Sequence, residues 1–436
     1  MSRTRVGRWF AVVLALGMVV SLAVGAVLWR ALGQHVAEPG QASQSVLPAQ
    51  DADAIQRGEY LARLGHCMGC HTTQGGAAFA GGHGIETPFG TISGPNLTPD
   101  AKTGIGRWSA DDFWNAMHHG ISRDGRLLYP AFPYPSYTHV TRQDADAIFG
   151  YLRSLPAVEQ ASRPHALRFP FNTQAAVAAW RALYFRPGAW VPGQDRPPEW
   201  NRGAYLVRGL GHCAACHAPR NAWGATIDAA ALRGGMMPVQ NWLAPSLAAP
   251  HEAGVADWPL EEIVALLRTG QSPRATVSGP MADVVFGSTQ YLHAEDARAM
   301  AVYLQSLPQQ DRPDAPKAAV PGAAVMERGA AVYAARCAQC HGASGQGQPA
   351  QFSALAGNRA VNLGNPTNLV RMVLQGGYAP ATPGNPWPYG MPPFQQVLGD
   401  EDIAAVLTYV RNAWGNRAPP LGSLDVQRVR ERRAPG

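Results

Sequence analysis

One five-residue pattern occurs three times in this chain: Cys67-Met68-Gly69-Cys70-His71, Cys213-Ala214-Ala215-Cys216-His217 and Cys337-Ala338-Gln339-Cys340-His341. The three copies use all six cysteines of the 436 residues. Each copy folds a thiol pair and an imidazole into one turn, so the chain must build three separate surroundings for them. The flanks repeat as well. Gly58-Glu59-Tyr60-Leu61 and Gly65-His66 precede the first pair, Gly203-Ala204-Tyr205-Leu206 and Gly211-His212 precede the second, and Gly329 with Tyr333 is a looser echo before the third. Behind each pair comes a segment with apolar residues at i, i+3 and i+4 and acidic residues near its start: 144–155, 294–307 and 400–414. That pattern predicts a helix with one buried face and a favourable dipole. The spacing from first cysteine to the tyrosine of the closing segment is 84, 90 and 72 residues, reaching Tyr151, Tyr303 and Tyr409. Three such helical units suit a chain well beyond one domain of ~150 residues. Pro156, Pro308 and the Pro-, Asp- and Gln-rich stretch 308–322 mark boundaries. The expected organisation is an N-terminal segment at 1–32, units at 52–160, 195–310 and 323–418, and linkers at 161–194 and 311–322, the first holding a possible helix from Thr173 to Tyr184.

Three chemistries use a Cys-x-x-Cys pair. A thioredoxin-type redox pair wants a βαβ context, which none of the copies has. A zinc site needs four ligands, and each copy supplies only three locally, without a second Cys or His pair nearby. The third is covalent haem c, in which two thioethers fix the porphyrin and the adjacent histidine reaches the iron. On this reading Cys67, Cys70, Cys213, Cys216, Cys337 and Cys340 hold three haems c, and His71, His217 and His341 are iron ligands. No nucleophile triad, phosphate loop or dinucleotide fingerprint accompanies them. The formal charge of +6, from 36 basic and 30 acidic residues, is spread without a basic block. Nucleic acid is not an expected partner.

An electron-carrying iron usually takes a sixth ligand, and methionine raises its potential. Pro-flanked loops before the closing helices offer Met281 in Ser278-Gly279-Pro280-Met281 and Met391 in Tyr389-Gly390-Met391-Pro392-Pro393. The corresponding loop of unit one reads Leu128-Tyr129-Pro130-Ala131-Phe132-Pro133-Tyr134, and a phenyl ring has no lone pair to give. Aligning Gly120, Gly270 and Gly376 at the ends of the preceding helices puts Met117 opposite Leu267 and Val373. Met117 is therefore the candidate ligand in unit one, with His83, His118, His119 and His139 as alternatives. His66 and His212 are candidates to meet a haem propionate, and Trp108 and Trp242 are expected to wall the haems.

Residues 11–29 contain no charge and nearly cover the ~30 Å hydrocarbon core of a bilayer as a helix. Arg3, Arg5 and Arg8 precede them and Arg30 follows, an asymmetry that places the N-terminus in the cytoplasm and the remainder across the membrane. The competing reading is a cleaved signal with a weak small-x-small site at Ser21-Leu22-Ala23. Both lead out of the cytoplasm.

Thr87-Pro88-Phe89-Gly90-Thr91, Asn96-Leu97-Thr98-Pro99-Asp100, the run Thr103 to Trp108, Ser288-Thr289-Gln290-Tyr291 and the run Thr408 to Asn416 complete a motif set. With the three haem motifs, it resembles the three-haem cytochrome c subunits of bacterial membrane-bound periplasmic dehydrogenases, of the alcohol, gluconate and sorbitol type. The resemblance implies three tandem class I cytochrome c-like domains. With the helix expected over residues 11–29, the expected fold is all-α with an N-terminal transmembrane helix, an anchor less typical of the family because several relatives begin with a cleaved signal. The resemblance also implies an electron-transfer subunit, not itself an enzyme, on the periplasmic side of the inner membrane, where the apolar run 11–29 of this sequence is expected to anchor it. Such a chain takes electrons from a catalytic dehydrogenase subunit that carries pyrroloquinoline quinone or flavin and passes them to ubiquinone, or to a downstream cytochrome or oxidase. Related three-haem chains serve molybdenum-containing aldehyde or N-heterocycle hydroxylases. A peroxidase-like enzyme with an open first haem is the rival class.

Overall fold

The structure, a computed structural model, describes residues 51–309, 319–349 and 351–431, together with Ala15, Gly17, Met18, Val19 and Gly25. Unit one begins with α1 (Ala52–Leu64) and α2 (Cys67–His71), which carries the first thiol pair. The hairpin β1 (Gly84–Thr87) and β2 (Gly90–Ser93) follows. Next comes α3 (Ala110–Trp114), started by a reciprocal cap between Ser109 and Asp112 and continued by a wider π turn over Asn115–His119. The unit closes with α4 (Arg142–Ser154), capped by Thr141. The connection to unit two adds β3 (Ala166–Leu167) and α5 (Gln174–Tyr184), capped by Thr173.

Unit two repeats the plan with α6 (Pro198–Arg208), α7 (Ala214–His217), α8 (Leu260–Thr269), α9 (Pro280–Gly287) and α10 (Ala294–Gln305). Unit three has α11 (Ala323–Arg336), α12 (Ala338–His341), α13 (Thr367–Gln375), α14 (Asp400–Val410) and a final α15 (Ser423–Glu431).

Two parts of the expected fold class are corrected. The chain is not all-α: helix makes up 43% and strand 9% of the described residues. Strands β1, β2 and β3 form an antiparallel sheet, and three two-residue ladders recur in the loops of units two and three. The three-stranded sheet exists because Gly90 turns the hairpin at φ +122, where a side chain would strike the Ala166 carbonyl of β3. The transmembrane helix is also not supported. No helix among the described residues is long and apolar enough to cross a membrane, and most of 11–29 lies outside those residues.

In every unit the first helix crosses the closing helix at a glycine. A Cβ on Gly58, Gly203 or Gly329 would fall far inside contact distance of the carbonyl of Ala147, Ala299 or Ala405 respectively. The residue before each glycine is an arginine paired with an aspartate in the first turn of the closing helix: Arg57 with Asp144 at 2.5 Å, Arg202 with Asp296 at 2.7 Å and Arg328 with Asp402 at 2.8 Å. Close backbone approach and an ion pair thus fix each crossing.

Units one and two share one core. Leu61, Ile148 and Phe149 belong to the same buried cluster as Leu206, Ile263 and Met300, whereas Val370, Ile403 and Leu407 form a separate cluster in unit three. The junction of the first two is reciprocal. Tyr60 of α1 donates to Asp296 of α10 at 2.6 Å, and Tyr205 of α6 donates to Asp144 of α4 at 2.6 Å. Burial first, then the neighbouring aspartate, pushes both phenols upward, so they remain protonated donors. A hydrogen bond to a charged acceptor contributes about 1.5–3 kcal/mol. Tyr60→Phe and Tyr205→Phe will each lower the urea midpoint by a similar amount, and unequal effects would contradict the reciprocity.

Candidate haem-attachment sites

All six thiols are free. Burial pushes Cys67 and Cys213 up to about 12 and Cys337 up to about 11. A catalytic redox pair needs a thiol pKa lowered towards neutrality, so the thioredoxin-type alternative loses its chemistry here. Among the described residues no group of three or more His, Cys, Asp and Glu side chains gathers in a way that could hold a metal ion on its own.

The three motif histidines are oriented alike. Nδ1 of His71 lies 2.8 Å from the Pro95 carbonyl, Nδ1 of His217 lies 2.8 Å from that of Pro245, and Nδ1 of His341 lies 2.9 Å from that of Ser353. A carbonyl only accepts, so the proton sits on Nδ1 and Nε2 keeps its lone pair for a metal. Burial holds all three imidazoles below their ordinary range, opposed by those same carbonyls. The accepting residues occupy a repeated place two positions before Leu97, Leu247 and Leu355. That echo was available in the sequence and marks the second anchor of each histidine.

The turns open onto apolar cavities. A space of about 1590 Å³ is lined by Cys67, Cys70, His71, Met117 and Phe132. A second cavity is continuous past Cys213, Cys216 and His217 with Met281, and past Cys337, Cys340 and His341 with Met391. Free thiol pairs, an imidazole with its lone pair available and an apolar wall fit a covalently held haem at each turn.

Local structure explains how the methionines arrive there. Gly279, at φ +55, turns the chain into α9 so that Met281 sits in its first helical turn, and a Cβ on Gly279 would lie 2.7 Å from the Trp242 ring. Met391 lies in a short ladder opposite Gly377. Met117 sits in the π turn, only 5% exposed. A π turn shifts side chains out of α-helical register and recurs at functional positions. Gly120, Gly270 and Gly376 all adopt positive φ, and Met117, Leu267 and Val373 all line cavities.

The histidines weighed against Met117 are placed differently. His83, His118, His119 and His139 do not line the first cavity. His118 is stacked on Trp114, and burial, followed by the neighbouring histidines, pushes it down to about 4. His165, which sequence reading passed over, does line the cavity, but its Nδ1 accepts the Ser93 N–H at 3.2 Å. Its neutral ring then carries the proton on Nε2. His66 and His212 line both cavities, together with Cys216 and Met237, and so stand where the two meet. Trp108 lines the first cavity and Trp242 the second.

Comparison with known proteins agrees with this chemistry. The cytochrome c family model matches residues 55–156 and 326–414. The chain is 38% identical over 407 residues to the cytochrome c subunit of a quinone alcohol dehydrogenase from Gluconobacter oxydans, covering 89% of this chain and 84% of the relative. It is 38% identical over 394 residues to the gluconate 2-dehydrogenase cytochrome c subunit of Pantoea cypripedii, covering 85% and 87%. It is also 40% identical over 429 residues to a nicotinate dehydrogenase subunit from Pseudomonas putida, covering 97% of this chain but 34% of that protein. With free thiol pairs, oriented imidazoles and this extent of similarity, the chain belongs to the family of cytochrome c subunits of dehydrogenases, electron-transfer components rather than catalytic enzymes.

Proposed function

We propose that this chain carries three covalent haems c and relays electrons from a quinoprotein or flavoprotein dehydrogenase subunit, on the periplasmic side of the bacterial inner membrane, to ubiquinone or a downstream cytochrome or oxidase. The observation that carries the reading is the threefold recurrence of one arrangement: two thiols and a histidine whose Nδ1 is tied to a carbonyl, facing a cavity that also holds a methionine. Bound haem supplies one-electron exchange at its iron. The chain supplies the rest. His71, His217 and His341 present Nε2 on one side, and Met117, Met281 and Met391 are the ligands proposed for the other. Phe132 packs edge-on against Tyr137 at 5.4 Å and fills space near the first site without offering a donor.

This reading separates from a peroxidase-like enzyme by carbon monoxide binding. The reduced wild-type protein will bind none, because every iron has two protein ligands. Met117→Leu will bind one per chain and lose one of three methionine-type low-spin signals. Substantial binding by the wild type favours the enzyme, and three unchanged signals in the variant remove Met117 as ligand.

The partner has a second candidate. The match to the nicotinate dehydrogenase protein spans nearly the whole chain, which favours a dehydrogenase acting on an N-heterocycle as the alternative electron donor.

A further inference from the structure

The closing helices place a polar residue at one repeated position: Tyr151-Leu152-Arg153, Tyr303-Leu304-Gln305 and Tyr409-Val410-Arg411. In unit one Arg153 donates to the carbonyls of Ile105 and Gly106, in the loop that ends at Trp108. In unit three Arg411 is fully buried and donates to Val361 and Leu363 at 2.9 Å each. Both arginines grip the backbone of a segment that walls their own cavity, a loop in unit one and the short helical turn Arg359–Asn362 with its cap in unit three. Unit two has only the neutral Gln305, which donates to the Trp258 carbonyl at 2.6 Å.

Arg274 of unit two stands over the Trp258 ring at 5.9 Å but pairs with Glu262; the guanidinium that donates to the carbonyls of that loop comes from unit three. Arg359 donates to the carbonyls of Pro250 and Gly254, the latter at 3.3 Å, and lies 3.5 Å from Asp257. Its guanidinium carbon is 5.6 Å from the centre of the Trp258 ring, and its own backbone N–H is held by the Arg274 carbonyl at 2.8 Å. Arg359 and Trp258 line the cavity with Cys213, Cys216 and His217. Trp258 is 3% exposed, and its indole N–H has no hydrogen-bond partner among the described residues. A buried donor left unmade costs about 1–3 kcal/mol. A donor on a cavity wall finds its acceptor in the occupant.

We infer that unit three completes the second haem site: Arg359 replaces the arginine missing from the repeat, holding loop 250–258 so that the Trp258 N–H meets an acidic side chain of the haem attached at Cys213 and Cys216. Trp258 is the binding residue, and Arg359 is a positioning residue that also brings positive charge to that edge. The inference rests on the haem reading above.

The test uses the full haem-loaded chain, with haem content measured first and the three reductive transitions resolved by spectroelectrochemical titration. Arg359→Gln will move one transition to lower potential and leave the other two in place, because an uncompensated carboxylate favours the oxidised iron. Adding Gln305→Arg to that variant will return the transition towards the wild-type value. Trp258→Phe, which keeps the loop contacts of Arg359, will displace the same transition. Three haems with all transitions unmoved in Arg359→Gln and Trp258→Phe overturn the inference, and so does failure of Gln305→Arg to restore. A wild-type chain without haem at Cys213 and Cys216 overturns the underlying haem reading instead.

Discussion

Cys213→Ala combined with Cys216→Ala will yield a chain with two covalent haems in place of three, a loss of one third of the iron and of the covalent haem mass. The expectation follows from the independence of the three turns, each of which has its own thiol pair and its own histidine anchor. Mass spectrometry of the denatured, purified chain counts the thioether-linked groups directly. A wild-type mass without three bound tetrapyrroles, or a variant that still carries three, would falsify the assignment. The stability effect will be larger than that of an ordinary cysteine change. The cavity past Cys213 is lined by Trp242, Val255, Trp258 and Leu304, and losing the occupant leaves that apolar wall without a partner.

The largest effect on folding is expected at the helix crossings. Gly203→Val places two methyl groups and a Cβ against the Ala299 carbonyl, a backbone atom that cannot rotate aside. Overpacking in a tight core costs ~1–3 kcal/mol and occasionally more, and a clash with backbone belongs at or above the upper end. Separating α6 from α10 also stretches the Arg202–Asp296 pair and the Tyr60 hydrogen bond to Asp296, so unit one is destabilised along with unit two. Gly150 is the control. It lies in α4 with nothing near the place a Cβ would occupy. Gly150→Ala will therefore stabilise by about 0.5–1 kcal/mol through helix propensity and a stiffer unfolded chain. Opposite signs for the two glycines in denaturant titrations are the expected outcome, and equal effects would remove close approach as the explanation.

The helices and haem turns were legible because their signals are local. A Cys-x-x-Cys-His run fits inside one turn, and the apolar spacing of 144–155 is visible within three turns of helix; the structure puts that helix at Arg142–Ser154. Gly120, Gly270 and Gly376 could be aligned because a left-handed residue ending a helix leaves a local mark. The short strands were missed because ladders of two to four residues are too short to show a period. Close packing of the units was expected, but the pairing that joins units one and two was not legible for another reason. Tyr60 pairs with Asp296 across 236 residues, and the repeat that displays both residues gives no hint that the partner lies in the other copy. Gln305 was the subtler signal. It breaks a repeated arginine, and only the folded chain reveals that Arg359, from a different unit, stands on the same loop.

The boundary at which His66 and His212 stand bears on how well the proposed neighbouring haems can be coupled. His66 packs between Gly69 of its own turn and Gly287 of α9, and His212 meets Tyr137 edge-on at 5.6 Å. Two chambers that meet at such a boundary, and are clamped by one interior, keep a set gap as the chain jostles. A tether would let that gap wander from moment to moment; a shared boundary makes it a property of the fold.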